Sequence, residues 1–138
     1  MVKTEYIDVS MKGYTDIRDI TPDLKRILDK CQIKDGIITV FVPGSTGGLT
    51  TMEYEPGLLK DLPEVLEKIA PQKASYHHHA TWSDDNGAAH IRSALIGPSI
   101  TIPFKGGNMA LGTWQQVVFL DFDTRPRNRR LVIQILGE

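Results

Sequence analysis

The run Ile37-Ile38-Thr39-Val40-Phe41-Val42 constrains the fold of this chain more than any other stretch. Its β-branched and aromatic residues lie between Asp35-Gly36 and Pro43-Gly44, so it is too short for a helix and predicts a strand, buried on both faces, at the centre of a sheet. The remaining elements are placed around it. Thr4 to Val9 alternates and predicts a first strand. Thr21-Pro22-Asp23 supplies a hydroxyl cap, a first-turn proline and an acid at the positive end of a helix dipole. Leu24, Ile27, Leu28 and Cys31 follow at one-face spacing, which makes Cys31 a core residue. Leu49 to Tyr54 is extended until Glu55-Pro56-Gly57 breaks it. Asp61-Leu62-Pro63-Glu64 then predicts an acid-capped helix that buries Leu62, Val65, Leu66 and Ile69 and stops at Pro71. A shorter helix over Ala88 to Leu95 ends at Gly97-Pro98, with Ile91 and Leu95 expected on its core side. The last third reads as strands: Ser99 to Phe104 and Ala110 to Phe122 joined by a hairpin at Lys105-Gly106-Gly107-Asn108, then Arg129 to Leu136. Trp114 and Gln115 fall early in the long strand, the indole in core or interface.

Chemistry concentrates between Tyr76 and His90, where all four histidines lie with Asp84, Asp85 and Asn86. Successive side chains of an extended run point in opposite directions. His77 and His79 are therefore expected on one face, with His78 opposite and His90 folded back by a turn over Asp84 to Gly87. Imidazoles beside carboxylates form the ordinary shell of zinc and other divalent ions. They equally form a polar surface loop of hydrogen-bonded rings. The metal reading names His77, His79 and His90 as ligands of a divalent ion, zinc or magnesium. Glu53, a carboxylate next to a hydrophobic run, and Asp85 are the acid or base candidates, and Asn86 is a candidate substrate contact.

Pro43-Gly44-Ser45-Thr46-Gly47-Gly48 lets backbone N–H groups approach an anion. It lacks the lysine and spacing of a Walker loop, and a strand follows it. A plain hairpin turn explains its glycines as well. Ser45 and Thr46 are the candidate phosphate contacts. Arg125-Pro126-Arg127-Asn128-Arg129-Arg130 gathers four guanidinium groups at a strand connection. They either pair with Asp121 and Asp123 or hold a phosphate or a facing subunit's carboxylates, and Arg125 and Arg127 are the candidates for that role.

A formal charge of -1 argues against affinity built on phosphate neutralisation along a nucleic acid. The lone Cys31 excludes an internal disulfide and fits a reducing cytoplasm. No apolar run is long enough to span a bilayer, and the N-terminus is too polar for a signal peptide. The expectation is a single soluble cytoplasmic domain over residues 1–138.

Several motifs occur in a fixed order: His79, Asp85-Asn86, His90-Ile91-Arg92-Ser93-Ala94-Leu95-Ile96-Gly97-Pro98-Ser99, Leu111-Gly112-Thr113-Trp114-Gln115-Gln116 and Arg125-Pro126-Arg127-Asn128-Arg129. Together they resemble the YjbQ family, also called UPF0047 or the secondary thiamine-phosphate synthase family, from the first strand to Gly137-Glu138. Val42 to Thr46 and Glu53 to Gly57 are similar to its archaeal branch. The resemblance implies a compact α+β domain with a sandwich-like antiparallel sheet and two to three helices. It also implies a homotrimer with clefts between subunits. The implied activity is a secondary one: joining a hydroxymethylpyrimidine diphosphate to a thiazole phosphate with loss of pyrophosphate. His79 and His90 match family histidines. A third, which precedes the hydroxyl loop in the bacterial branch, falls at Gly44, leaving His77 or Glu53 to replace it. A metal-dependent hydrolase with an open coordination position and a non-catalytic trimer binding a small molecule are the alternatives.

Overall fold

In chain order the elements are β1 (Val2–Met11), β2 (Asp16–Asp19), α1 (Thr21–Cys31), β3 (Gly36–Phe41), β4 (Gly47–Met52), α2 (Pro56–Ile69), α3 (His77–Trp82), α4 (Gly87–Ile96), β5 (Ser99–Lys105), β6 (Asn108–Met109), β7 (Gln116–Asp121) and β8 (Arg127–Gly137). The computed structural model describes all residues, 1–138. Every strand pair is antiparallel, in a larger sheet ordered β1-β8-β3-β5-β6 and a smaller one ordered β2-β7-β4. The fold is α+β, with four helices where the resemblance implied two or three.

Alternation along the strands produces three layers. Ile7, Val9 and Met11 of β1, Ile38 and Val40 of β3, Ile102 and Phe104 of β5, and Leu131, Ile133 and Ile135 of β8 point inward. They meet Leu24 and Leu28 of α1 together with Leu49, Val117 and Phe119 of the small sheet. The opposite face of the small sheet, Ile17, Val118 and Leu120 with Phe122 just beyond β7, packs on Leu66 of α2 and Ala89 of α4. β7 is thus the strand enclosed on both faces, buried from Val117 through Asp121. Each fully buried Val, Leu or Phe contributes about 1.5–3 kcal/mol, so this one strand anchors both halves of the core.

β3 does sit at the centre of its sheet, but it is not buried on both faces. Ile37 and Phe41 remain 39% and 43% exposed, because nothing in the chain covers the outer side of the large sheet. The long strand expected from Ala110 to Phe122 is also shorter. Gln115 N–H donates to the Gly112 carbonyl at 3.1 Å, and Gly112 N–H to Gln115 Oε1 at 3.0 Å, turning the chain out of one sheet and into the other. Trp114 rides on that turn, 73% exposed, rather than in a strand.

The helices begin where local donors are satisfied. Ile20 holds the cap position of α1 without a side-chain bond. The Thr21 hydroxyl accepts from Val117 N–H at 2.8 Å instead, stitching the helix to β7. Glu55 caps α2 by accepting from Gly57 N–H at 2.8 Å and Leu58 N–H at 2.5 Å, so the helix starts at Pro56 and Pro63 falls inside it. Of the expected stripe on α2, Leu66 is buried while Val65 and Ile69 face outward. α4 turns Gly87, Ala88, Ala89, Arg92 and Ser93 inward and leaves Ile91 and Leu95 outside. Small residues win that face because they let α4 lie against β4, where Ser93 Oγ donates to the Gly47 carbonyl at 2.5 Å. Arg92 is tolerated inside because it donates to the Ala70 carbonyl, to Thr15 Oγ1 and to Glu67.

Candidate functional site

The histidine run is helical, not extended. Successive residues of α3 are rotated by roughly 100° about its axis, so His77, His78 and His79 point three ways. His77 is exposed. His79 Nε2 accepts the Gly87 N–H at 2.9 Å, and its ring stands edge-on to Tyr76, with centroids 5.3 Å apart. A Cβ on Gly87 would lie 2.7 Å from Tyr76 and 2.8 Å from His79 Nε2, so only glycine permits this junction of α3 and α4. His78 is the imidazole that turns toward His90, with ring centroids 4.4 Å apart.

His78 Nε2 lies 3.1 Å from Asp84 Oδ2. The Asn86 amide nitrogen, oriented to satisfy its neighbours, donates to Asp84 Oδ1 at 3.0 Å and to Oδ2 at 3.2 Å. The carboxylate therefore fixes both the ring and the amide. Burial pushes the His90 pKa below its ordinary value, the facing His78 adds to that, and Asp84 and Asp123 partly oppose it.

Asn86 joins this group to the arginine connection. With Asp123, Arg125 and Arg127 it lines a cleft of about 270 Å³. Arg127 Nη1 donates to Asp123 Oδ2 at 2.7 Å, while Arg125 makes no ion pair. Burial alone would raise the Asp123 pKa. Hydrogen bonds from Arg127, Thr124 N–H and Thr46 outweigh it and hold the carboxyl below the usual range. Beneath the cleft, Arg129 and Asp121 form a buried bidentate pair, with Nε to Oδ2 at 2.8 Å and Nη2 to Oδ1 at 3.0 Å. A buried pair of this kind adds little net stability, but losing one member strands the other's charge.

The structure brings Asn86, Arg125 and Arg127 to one cleft, sets His90 against His78 behind Asn86, and leaves other sequence candidates outside. The Asp85 carboxylate accepts from Thr124 Oγ1 at 3.0 Å, tying the turn before α4 to the β7–β8 connection. The Thr46 hydroxyl is occupied from both sides, donating to Asp123 Oδ2 at 3.2 Å and accepting from Arg129 Nη2 at 2.8 Å. Ser45 is exposed on the loop above it. Glu53 follows Met52, which pairs with Gln116 at the far end of the ladder from the Gly47–Asp121 pair. At strand rise that separation is about 17 Å, and Glu53 does not reach the imidazoles. His77, His79 and His90 do not converge, and no three His, Cys, Asp or Glu side chains are grouped so as to hold a metal ion. The donor set as placed does not fit the divalent ion expected from the sequence. His78 and Asp84, which border the cleft through Asn86, and Arg129, buried beneath it, are not among the sequence candidates. Alternation along Leu131, Ile133 and Ile135 was the available signal for Arg129, since parity turns it inward; none distinguished His78 from its neighbours.

The family described as UPF0047 protein YjbQ-like matches residues 5–138. A UPF0047 protein of Archaeoglobus fulgidus is 39% identical over 121 residues, covering 88% of this chain and 91% of that one. A UPF0047 protein of Methanothermobacter thermautotrophicus is 36% identical over 137 residues, covering 99% and 94%. Among solved structures, a YbjQ-like protein of unknown function from Sulfolobus solfataricus superposes with a TM-score of 0.89 at 28% identity, with all of both chains covered. A hypothetical protein from Aeropyrum pernix reaches 0.92 at 29% identity, covering 99% of each. With matching sequence motifs, matching fold and full-length coverage, the chain belongs to the UPF0047 (YjbQ-like) family.

Proposed function

We propose that the cleft between Asn86, Arg125 and Arg127 binds a phosphorylated small molecule, and that a homotrimer of the chain has the secondary thiamine-phosphate synthase activity its family resemblance implies. The observation that carries this reading is Arg125, a guanidinium with no carboxylate of its own, at the rim of a cleft of about 270 Å³ bordered by the His78–Asp84–Asn86 group. Displacement of pyrophosphate from a pyrimidine methylene by a thiazole nitrogen requires little of a base. It requires that charge building on the departing oxygens be met by fixed donors and that the two rings be held in line. Arg125 and Arg127, which line the cleft, supply donors for the phosphate groups, and His78, bonded to Asp84 beside Asn86, is the proton donor assigned to the leaving group.

The test is formation of thiamine phosphate from the two phosphorylated precursors. Arg125→Ala is the clean variant, because Arg125 is exposed and removing it orphans no partner. A lost charge-assisted contact of about 1.5–3 kcal/mol predicts a fall of about 10- to 100-fold in kcat/KM. Unchanged turnover in Arg125→Ala would end the assignment. The His78–Asp84 pairing also favours a second reading, phosphoester hydrolysis with His78 as base. Pyrophosphate release without thiamine phosphate would select it.

A further inference from the structure

A guanidinium has five N–H donors. Arg129, whose side chain is only 4% exposed, uses Nε and Nη2 on Asp121 and Thr46. Neither N–H of Nη1 has an acceptor in the chain. No buried side-chain nitrogen or oxygen lacks a partner, so Nη1 opens to the surface. It does so at Gly44, where φ is +131° and a built Cβ would lie 3.4 Å from Nη1 and near nothing else. The glycine leaves a notch in front of two unused donors. The backbone N–H groups of Gly44 and Ser45 donate to no carbonyl either. Asp123, which lines the Arg125 cleft and accepts from both Arg127 and Thr46, connects that cleft to the notch through the Thr46 hydroxyl that Arg129 also bonds.

The charges differ between the cleft and the notch. Arg129 is neutralised by Asp121 and Arg127 by Asp123, while Arg125 is not paired. A phosphate is drawn to Arg125. A second anion at Nη1 would face two carboxylates already matched to their cations, in a weakly screened setting. We infer that the Gly44 notch is a second subsite that takes an uncharged acceptor, a heterocyclic ring nitrogen or carbonyl, from the ligand whose phosphate the Arg125 cleft holds. This rests on the phosphate reading of that cleft.

Nitrogen-15 spectra of the arginine side chains in the full-length protein test it, with cytosine as the uncharged probe and inorganic phosphate as the charged one. Cytosine is expected to shift the Arg129 signals and spare Arg125; phosphate is expected to do the reverse. Arg129→Lys keeps a cation beside Asp121 but deletes Nη1. It should weaken cytosine binding by about tenfold or more, with phosphate binding unchanged. If that variant fails to fold, the wild-type shifts decide alone. Cytosine leaving Arg129 unmoved, or phosphate moving it, overturns the inference. Phosphate moving neither arginine ends the phosphate reading of the cleft, whereas a cytosine shift at Arg129 would still establish the notch as a binding site.

Discussion

At the scale of single residues, the His78–His90 contact makes the clearest demand. Burial and the second imidazole together lower the His90 pKa from 6.5. Replacing His78 with Asn removes the repulsion and part of the enclosure, so the His90 pKa should rise toward 6.5, read by NMR titration of its ring protons. Because the folded state holds the His90 proton less tightly than the unfolded chain does, stability rises with pH through the window between the lowered value and 6.5. It is lost as pH falls through that window. His90→Asn should flatten that part of the pH profile of unfolding. Asp123 acts at the acid end. Its folded pKa lies below the usual range, so its contribution is present above that range and lost only as pH falls through the lower value. In the sequence the imidazoles with Asn86 and the arginines stand out as two separately crowded connections; that Asn86 brings them to one cleft is visible only in the fold. Nor did the sequence show which imidazole, because in three adjacent histidines the choice depends wholly on whether the backbone is helix or strand.

At the scale of elements, the misplaced start of α2 turns on one proline. Asp61-Leu62-Pro63-Glu64 has the form of a capping sequence, yet Glu55 satisfies the first N–H groups six residues earlier and the helix runs on through Pro63. A proline there removes one intrahelical donor and crowds the carbonyl of Leu59. Pro63→Ala should therefore stabilise the protein by about 1–3 kcal/mol, visible as a higher denaturant midpoint at constant m-value. Arg92 predicts the opposite sign. Nε and Nη2 both donate to the Ala70 carbonyl, at 3.1 and 2.8 Å, and Nη1 donates to Thr15 Oγ1 at 2.8 Å. Arg92→Ala leaves those oxygens buried without donors and should destabilise by about 2–4 kcal/mol. Hydrophobic spacing could locate α4 but not its inner face, because the packing partner selected small residues and one satisfied cation over Ile91 and Leu95.

For the whole molecule, the strand-rich ends and intervening helices were legible, but the division into two sheets was not. The break between β6 and β7 is made by Gln115 bonds that leave no trace in hydropathy. The same misreading hid the open face of the large sheet. There Tyr6 and Phe41 flank Val132, and Val2 and Ile37 flank Leu136. A hydrogen-bonded row containing Thr39 and Thr101 lies between them. A second apolar patch, Ile91 and Leu95 one turn apart on α4, lies on the helical side. A closed ring of three identical chains joins two different patches, whereas a two-fold dimer joins one patch to itself. If the proposed trimer closes sheet face to helix face, Phe41→Asp and Leu95→Asp should each yield monomers in sedimentation. A mixture of the two variants should yield a one-to-one dimer, since each carries the intact patch the other lacks. Monomers alone in the mixture, or a trimer surviving either substitution, would exclude that arrangement.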